Sequence, residues 1–205
     1  MAHDSTVTSD LLNRGIIYFT GDVTQESMKE LAEQLIKIDL DLNISGPVKL
    51  HINSPGGDVA AAFGVIDILS NMRLVVNTIG LGEICSCGLL LFLAGEKRYI
   101  TKNTSILSHQ YWDWMVGKHH ELKGARKEQD LTHSKLIRYY KERTKLSEKV
   151  IIKKLLPETD VWLTTLEALE YNIATDVIEN KLVISANEIL LKNKKRSYGT
   201  KEKRH

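Results

Sequence analysis

"GLGEICSCGLLLFLAG", residues 80–95, contains one hydroxyl, Ser86, set between Cys85 and Cys87 and followed by a glycine and an apolar run. "LVVNTIG" (74–80) before it has a strand pattern, and the run after Gly88 has the length and composition of a buried helix. Ser86 therefore falls at a strand-to-helix junction, with Gly82 and Gly88 on either side. Three readings fit. The stretch could be small-residue packing at a helix start, a Cys-x-Cys metal or redox site, or a nucleophile lifted off the backbone by a sharp turn. The G-x-S-x-G pattern is not met, because the cysteines occupy the positions next to the serine. A Cys-x-Cys metal site needs two more ligands, and the clustered histidines, His119, His120 and His133, sit in a charged helical segment. Local residues alone leave packing and catalysis open.

The chain around this stretch is that of an ordinary globular protein. Its 205 residues suffice for one domain with a real core, and 42% hydrophobic with 26% charged residues is a soluble composition. Two cysteines one residue apart form no disulfide framework, which favours a reducing compartment. The start, "MAHDSTVTSD", lacks a basic segment followed by an apolar run, and the apolar run Leu89–Gly95 falls short of a bilayer span. The expectation is a cytoplasmic protein with no membrane segment and no signal peptide. The net charge of +2 conceals an asymmetry: Lys192–His205 carries seven Lys or Arg against one Glu, so the remaining residues are net acidic. A mildly acidic body with a basic tail is not the composition of a nucleic-acid-binding domain, and the tail reads as a solvated end.

Along the chain, strands and helices alternate. "GIIYFTGDV" (15–23) reads as a strand, followed by an amphipathic helix with Met28, Leu31, Leu35 and Ile38 on one face and Thr24 as its cap. "PVKLHIN" (47–53) is a second strand, broken by "SPGG" and followed by the helix "DVAAAFGVIDILSNM". "KRYIT" and "TSILSHQ" are short strands, and 122–140 is a long charged helix. Ser147 caps a further helix stopped by Pro157, and "DVWLT" and "LEALEYN" close the pattern as strand and helix. This is an α/β protein.

Two further places could carry chemistry. At Pro55-Gly56-Gly57 a strand meets a helix, leaving glycine N–H groups near a helix N-terminus, where an anion can bind. No Walker A pattern is present, and the same residues also suit a plain tight turn. His109 ends the strand "SILSHQ", and Asp160 lies at the turn before "VWLT". Each alone is an ordinary structural residue. Ser, His and Asp in that order form a triad only if the fold brings them together.

The ordered blocks "LLNRGIIYFTGDV", "INSPGGD", "GEICSCGLLLFLAG", "SILSHQ" and "TDVWLTTLEALEYNIATDVIE" resemble the successive signatures of the ClpP family, the proteolytic subunits of ATP-dependent Clp proteases. The resemblance runs from about Leu11 to Glu179. It implies a ClpP/crotonase-like spiral of β-β-α units with a protruding handle helix (about 111–145). It also implies a domain over 11–180, a short flexible lead over 1–10, and a C-terminal extension over 181–205. On this resemblance Ser86 is the nucleophile, His109 its general base and Asp160 the residue that orients the imidazole. Gly57 and Cys87 supply the oxyanion N–H groups, and Gly56, Asp58, Val59, Gln110 and Tyr111 border the substrate strand. No cofactor and no metal are implied. The implied assembly is a homo-oligomer of heptameric rings stacked as a tetradecamer, fed polypeptide by an AAA+ unfoldase of the ClpX, ClpA or ClpC kind.

The chain departs from the family pattern at several points. Tyr111, Trp112 and Trp114 stand where a proline and small residues are usual; Glu83, Cys85 and Cys87 replace smaller or uncharged residues; and Asn172 replaces a glycine. Few residues precede Leu11 to build an axial pore loop. These departures suggest a divergent member, phage- or plasmid-encoded. The competing readings are a phage prohead maturation protease of the same fold, a catalytically silent ring subunit, and a crotonase-type acyl-CoA enzyme.

Overall fold

The computed structural model describes residues 5–112, 115–179, 182–190 and 193. Trp114 and the basic residues of the C-terminal tail lie outside the described residues. In chain order the first elements are α1 (Ser5–Leu12), β1 (Ile16–Thr20), α2 (Gln25–Leu40), β2 (Val48–Ser54) and α3 (Val59–Asn71). Then come β3 (Val76–Cys85), α4 (Cys87–Leu93), β4 (Arg98–Thr101), β5 (Ser105–Ser108) and α5 (His119–Thr144). The last are α6 (Glu148–Lys154), β6 (Val161–Leu163), α7 (Thr165–Glu170), β7 (Asp176–Glu179) and β8 (Leu182–Ser185). Residues 5–10 of the stretch 1–10, expected as a flexible lead, belong to α1. Among the described residues no helix is long and apolar enough to cross a membrane.

The chain forms two compact units, one of residues 1–107 and 162–205, the other of 108–161. The first is built on a sheet of strand order β1-β2-β3-β4-β7-β8, with β5 also paired to β3. The pairs from β1 through β7 and the β3–β5 pair are parallel, and β8 returns antiparallel to β7. Parallel neighbours need crossover helices, which α2 and α3 supply. Helix α2 begins at Thr24, whose hydroxyl accepts the Ser27 N–H at 3.1 Å while the Ser27 hydroxyl accepts the Thr24 N–H at 3.0 Å. Its buried face is Met28, Leu31, Leu35 and Ile38, as the periodicity requires. In β2, Val48, Leu50 and Ile52 are fully buried on alternate positions.

Strand β3 extends further than its apolar pattern suggests, through Cys85 instead of stopping at Gly80. Ile52 of β2 stands opposite Gly80, but Ser54 stands opposite Ile84, so β3 spends two more residues than β2 on the same span. The Asn53 side chain fills this bulge: its Oδ1 accepts the Glu83 N–H at 3.1 Å, and it occupies the space beside Gly82. Before the bulge, Thr78–Gly80 pair with β4; after it, Glu83–Cys85 pair with β5. The strand therefore delivers its end, and Ser86, along a second neighbour.

In the second unit α5 buries Leu136, Ile137, Tyr139 and Tyr140 and exposes most of its charged residues. Its exposed pairs Arg126–Asp130 and Arg138–Glu142 follow helical spacing, and each contributes at most about 0.5 kcal/mol. Ser147 and Pro157 bracket α6 as expected, although the Ser147 side chain makes no cap hydrogen bond. Asn172, in the first unit, adopts φ 52°, the left-handed conformation asparagine tolerates.

Candidate active site

Ser86 is the single residue between β3 and α4, at φ 53° and ψ −120°. A non-glycine residue there costs of order 1–3 kcal/mol and persists only where its surroundings hold it. The restraints are visible. The Ser86 N–H donates to the Leu107 carbonyl at 3.0 Å, and the Ser86 carbonyl accepts the N–H groups of Leu89 and Leu90 at 3.0 and 3.2 Å. Cys85, Cys87 and Gly88 are buried around it, whereas Ser86 is partly exposed. This is the elbow geometry that presents a hydroxyl at the top of a strand.

The Pro-Gly-Gly turn lies against this elbow. Gly56 has φ +105°, and a Cβ built on it would stand 2.7 Å from Ser86 Cβ, 2.8 Å from the Cys85 oxygen and 2.9 Å from the Cys87 nitrogen. Gly57 has φ +144°, and a Cβ there would run into the Val23 carbonyl. Both positions are glycine because backbone approaches backbone. Val23 bridges the turn: its N–H donates to the Gly56 carbonyl and its carbonyl accepts the Asp58 N–H, both at 2.8 Å. That pattern does not use the Gly57 N–H. At the other side, the Cys87 N–H is the first of α4, without an acceptor inside the helix. Val23 and Ser54, which shape this turn, were not singled out in the sequence, because their contacts to it are made by the fold.

The two cysteines are thiols, not thiolates. Burial, together with the Glu83 carboxylate, pushes Cys85 up to about 11, and burial pushes Cys87 up to about 11. Cys87 Sγ donates to the Gly57 carbonyl at 3.0 Å, while Cys85 faces Glu83 Oε2 at 3.8 Å. At pH 8 a thiol at 11 has about a hundredfold less thiolate than one at 9, so iodoacetamide should modify either cysteine at least about 100-fold more slowly in the native protein than in guanidinium. Peptide mass spectrometry with and without denaturant reads this; equal rates would contradict the buried environment.

In the second unit, His109 Nδ1 stands 3.4 Å from Asp160 Oδ1, with the imidazole largely covered and the carboxylate exposed. The strand end carrying His109 is pinned on both sides. Ser108, fully buried, donates its hydroxyl to the Leu155 carbonyl at 2.6 Å and meets the Tyr140 hydroxyl at 3.0 Å. Gln110 Nε2 donates to the Leu156 carbonyl at 3.0 Å, and the Tyr111 hydroxyl donates to the Gln129 carbonyl at 2.9 Å. The His–carboxylate pair is what a general base and its orienting partner look like.

The residues expected to border a substrate are thereby placed. Gln110 and Tyr111 spend their side chains on backbone carbonyls of their own unit. Asp58 caps α3, accepting the Ala61 N–H and a Gln25 Nε2 hydrogen bond, both at 2.9 Å. These bonds hold its carboxyl below the usual carboxylate range. Val59 is the first residue of α3. Asp58→Ala should therefore lower stability by about 1 kcal/mol in urea denaturation, as loss of a helix cap does. The contribution is present above the ordinary Asp value near 3.8 and fades as pH falls through the lowered native value. An equal loss at pH 7 and at pH 2 would show that the cap is not its source.

Comparison with known proteins agrees with this architecture. A family model described as Clp protease matches residues 2–181. The chain is 30% identical over 169 residues to the ATP-dependent Clp protease proteolytic subunit 2 of Treponema pallidum, covering 80% of this chain and 82% of that one. It is 28% identical over 180 residues to the protein of the same name from Treponema denticola, covering 87% and 88%. Among solved structures, a ClpP1 point mutant from Listeria monocytogenes superposes with a TM-score of 0.75 at 28% identity, covering 85% of this chain and 97% of that one. A parallel sheet crossed by helices, an elbow serine and a matching family model over most of the chain lead to one assignment: the chain has the ClpP fold and belongs to the Clp protease family.

Proposed function

We propose that this chain is a serine endopeptidase that hydrolyses unfolded polypeptide inside a self-compartmentalised ring assembly, as the proteolytic partner of an ATP-driven unfoldase. The observation that carries the reading is Ser86 at φ 53°, held beside a Gly-Gly turn that admits no side chain. His109, with Asp160 at its Nδ1, supplies the complementary half. In this mechanism His109 Nε2 takes the Ser86 proton as Oγ attacks the scissile carbonyl. The oxygen that becomes negative accepts hydrogen bonds from the N–H groups of Gly57 and Cys87. The imidazolium, stabilised by Asp160, then gives its proton to the leaving amine, and an acyl-enzyme remains on Ser86. Water, deprotonated by His109, attacks the ester; the tetrahedral intermediate collapses, the carboxylate product leaves, and Ser86 recovers its proton. The names of the relatives, proteolytic subunits of ATP-dependent proteases, support both the chemistry and the assembly.

The test treats the wild-type chain with a fluorophosphonate, maps the adduct by tandem mass spectrometry, and weighs the intact assembly by native mass spectrometry. The expected result is one adduct per subunit, on Ser86, in a ring-sized particle. An adduct elsewhere, or an assembled protein that takes up no label, would sink the peptidase reading. A monomer carrying the Ser86 adduct would retain the chemistry and remove the ring.

A further inference from the structure

We infer that the Cys87 thiol and the Ser54 hydroxyl are positioning residues that lock the Gly57 N–H into the direction the oxyanion requires. This rests on the reading of Ser86 as the nucleophile.

Three consecutive peptide planes make up the turn. The N–H proposed to meet the oxyanion belongs to the Gly56–Gly57 plane, whose carbonyl accepts the Val23 N–H at 2.8 Å. A trans peptide sets its N–H opposite its carbonyl, so that bond turns the Gly57 N–H away from Val23. On its own it does not fix the plane, because the glycines at both ends permit rotation that other residues would resist. The preceding plane is held by Ser54, fully buried, whose Oγ accepts the Gly56 N–H at 3.2 Å. The following plane is held at both ends: Cys87 Sγ donates to the Gly57 carbonyl at 3.0 Å, and the Asp58 N–H donates to the Val23 carbonyl at 2.8 Å. With both flanking planes fixed, the middle one can turn only about the line joining its two Cα atoms, and the Val23 bond to its carbonyl sets that angle.

The same two residues set the spacing to the elbow. Ser54 packs against α4 so closely that a Cβ at Gly88 would stand 2.7 Å from the Ser54 carbonyl oxygen and 3.0 Å from its Cβ. Cys87 contributes its backbone N–H to the proposed oxyanion site and its side chain to the carbonyl of the residue carrying the other N–H. One residue thereby ties the two donors at a fixed separation. The thiol is suited to this because burial keeps it protonated, and hence a donor, throughout the neutral range.

The experiment compares kcat, KM and the second-order rate of fluorophosphonate labelling in the assembled full-length protein. Cys87→Ala and Ser54→Ala should each lower kcat and the labelling rate by about tenfold with KM within about twofold, as displacement of a donor does. Cys87→Ser keeps a donor and should recover activity to within about threefold of wild type. Cys85→Ala removes a similarly buried neighbouring thiol, which faces Glu83 Oε2 instead of the Gly57 carbonyl, and should stay within about twofold. Wild-type kcat in both alanine variants, or an equal loss in Cys85→Ala, overturns the clamp while leaving the nucleophile intact. If Cys87→Ala fails to assemble, the clamp still requires Ser54→Ala to lose kcat and Cys87→Ser to keep it. Absence of labelling at Ser86 in wild type overturns both readings together.

Discussion

Ser86→Ala is expected to abolish fluorophosphonate labelling and to lower hydrolysis of a fluorogenic peptide by about 10⁴-fold or more, with folding and assembly unchanged. The size follows from the mechanism. Without Oγ no acyl-enzyme forms, and what remains is the contribution of the oxyanion donors and substrate binding alone. The unchanged folding follows from what holds the elbow. The restraints on Ser86 come from its own backbone N–H and carbonyl and from the packing of buried Cys85, Cys87 and Gly88, all of which alanine preserves. Thermal melting within about 2 °C of wild type is therefore expected beside the loss of activity. Residual hydrolysis above one-hundredth of wild type would show that Ser86 is not the nucleophile.

Gly56→Ala should instead damage both activity and stability. The new methyl must enter at 2.7–2.9 Å from Ser86 Cβ, the Cys85 carbonyl oxygen and the Cys87 nitrogen, and two of these three are backbone atoms that cannot rotate aside. It must also adopt φ +105°, which disfavours any L side chain by of order 1–3 kcal/mol. Relief requires the turn to withdraw from the elbow, carrying the Gly57 N–H with it. A shift of even about 1 Å at such a donor costs about 100-fold in rate. The expected outcome is a kcat at least about 100-fold down and a melting temperature lower by several degrees. A Gly56→Ala protein with wild-type kcat would mean that the turn does not line the reacting centre.

Much of this was legible in the residues. The alternation of strands and helices, the buried face of α2 and the Thr24 cap follow from short-range rules, because each depends on neighbours within one turn. The elbow was half legible: Gly82, Ser86 and Gly88 announce a tight junction, but only the φ of Ser86 distinguishes an elbow from a packed helix start. The length of β3 was not legible, since the bulge at Asn53 is a contact between residues thirty positions apart. The roles of Ser54 and Cys87 escaped for the same reason. Each acts on a peptide plane that its own neighbourhood in the sequence does not contain.

The change of neighbour within β3 divides the tolerance of the strand to substitution. Val76–Gly80 pair with β2, and Thr78–Gly80 pair with β4 as well, in the middle of the sheet, so changes there should register as lost folding stability. Glu83–Cys85 lie beyond the bulge, beside β5, and their backbone leads straight into the reactive turn. Substitutions in that half that distort the backbone, unlike the side-chain truncation Cys85→Ala, should register first as lost turnover in a protein that still folds. One continuous strand thus behaves as two genetic units, and the boundary between them is the single amide of Asn53.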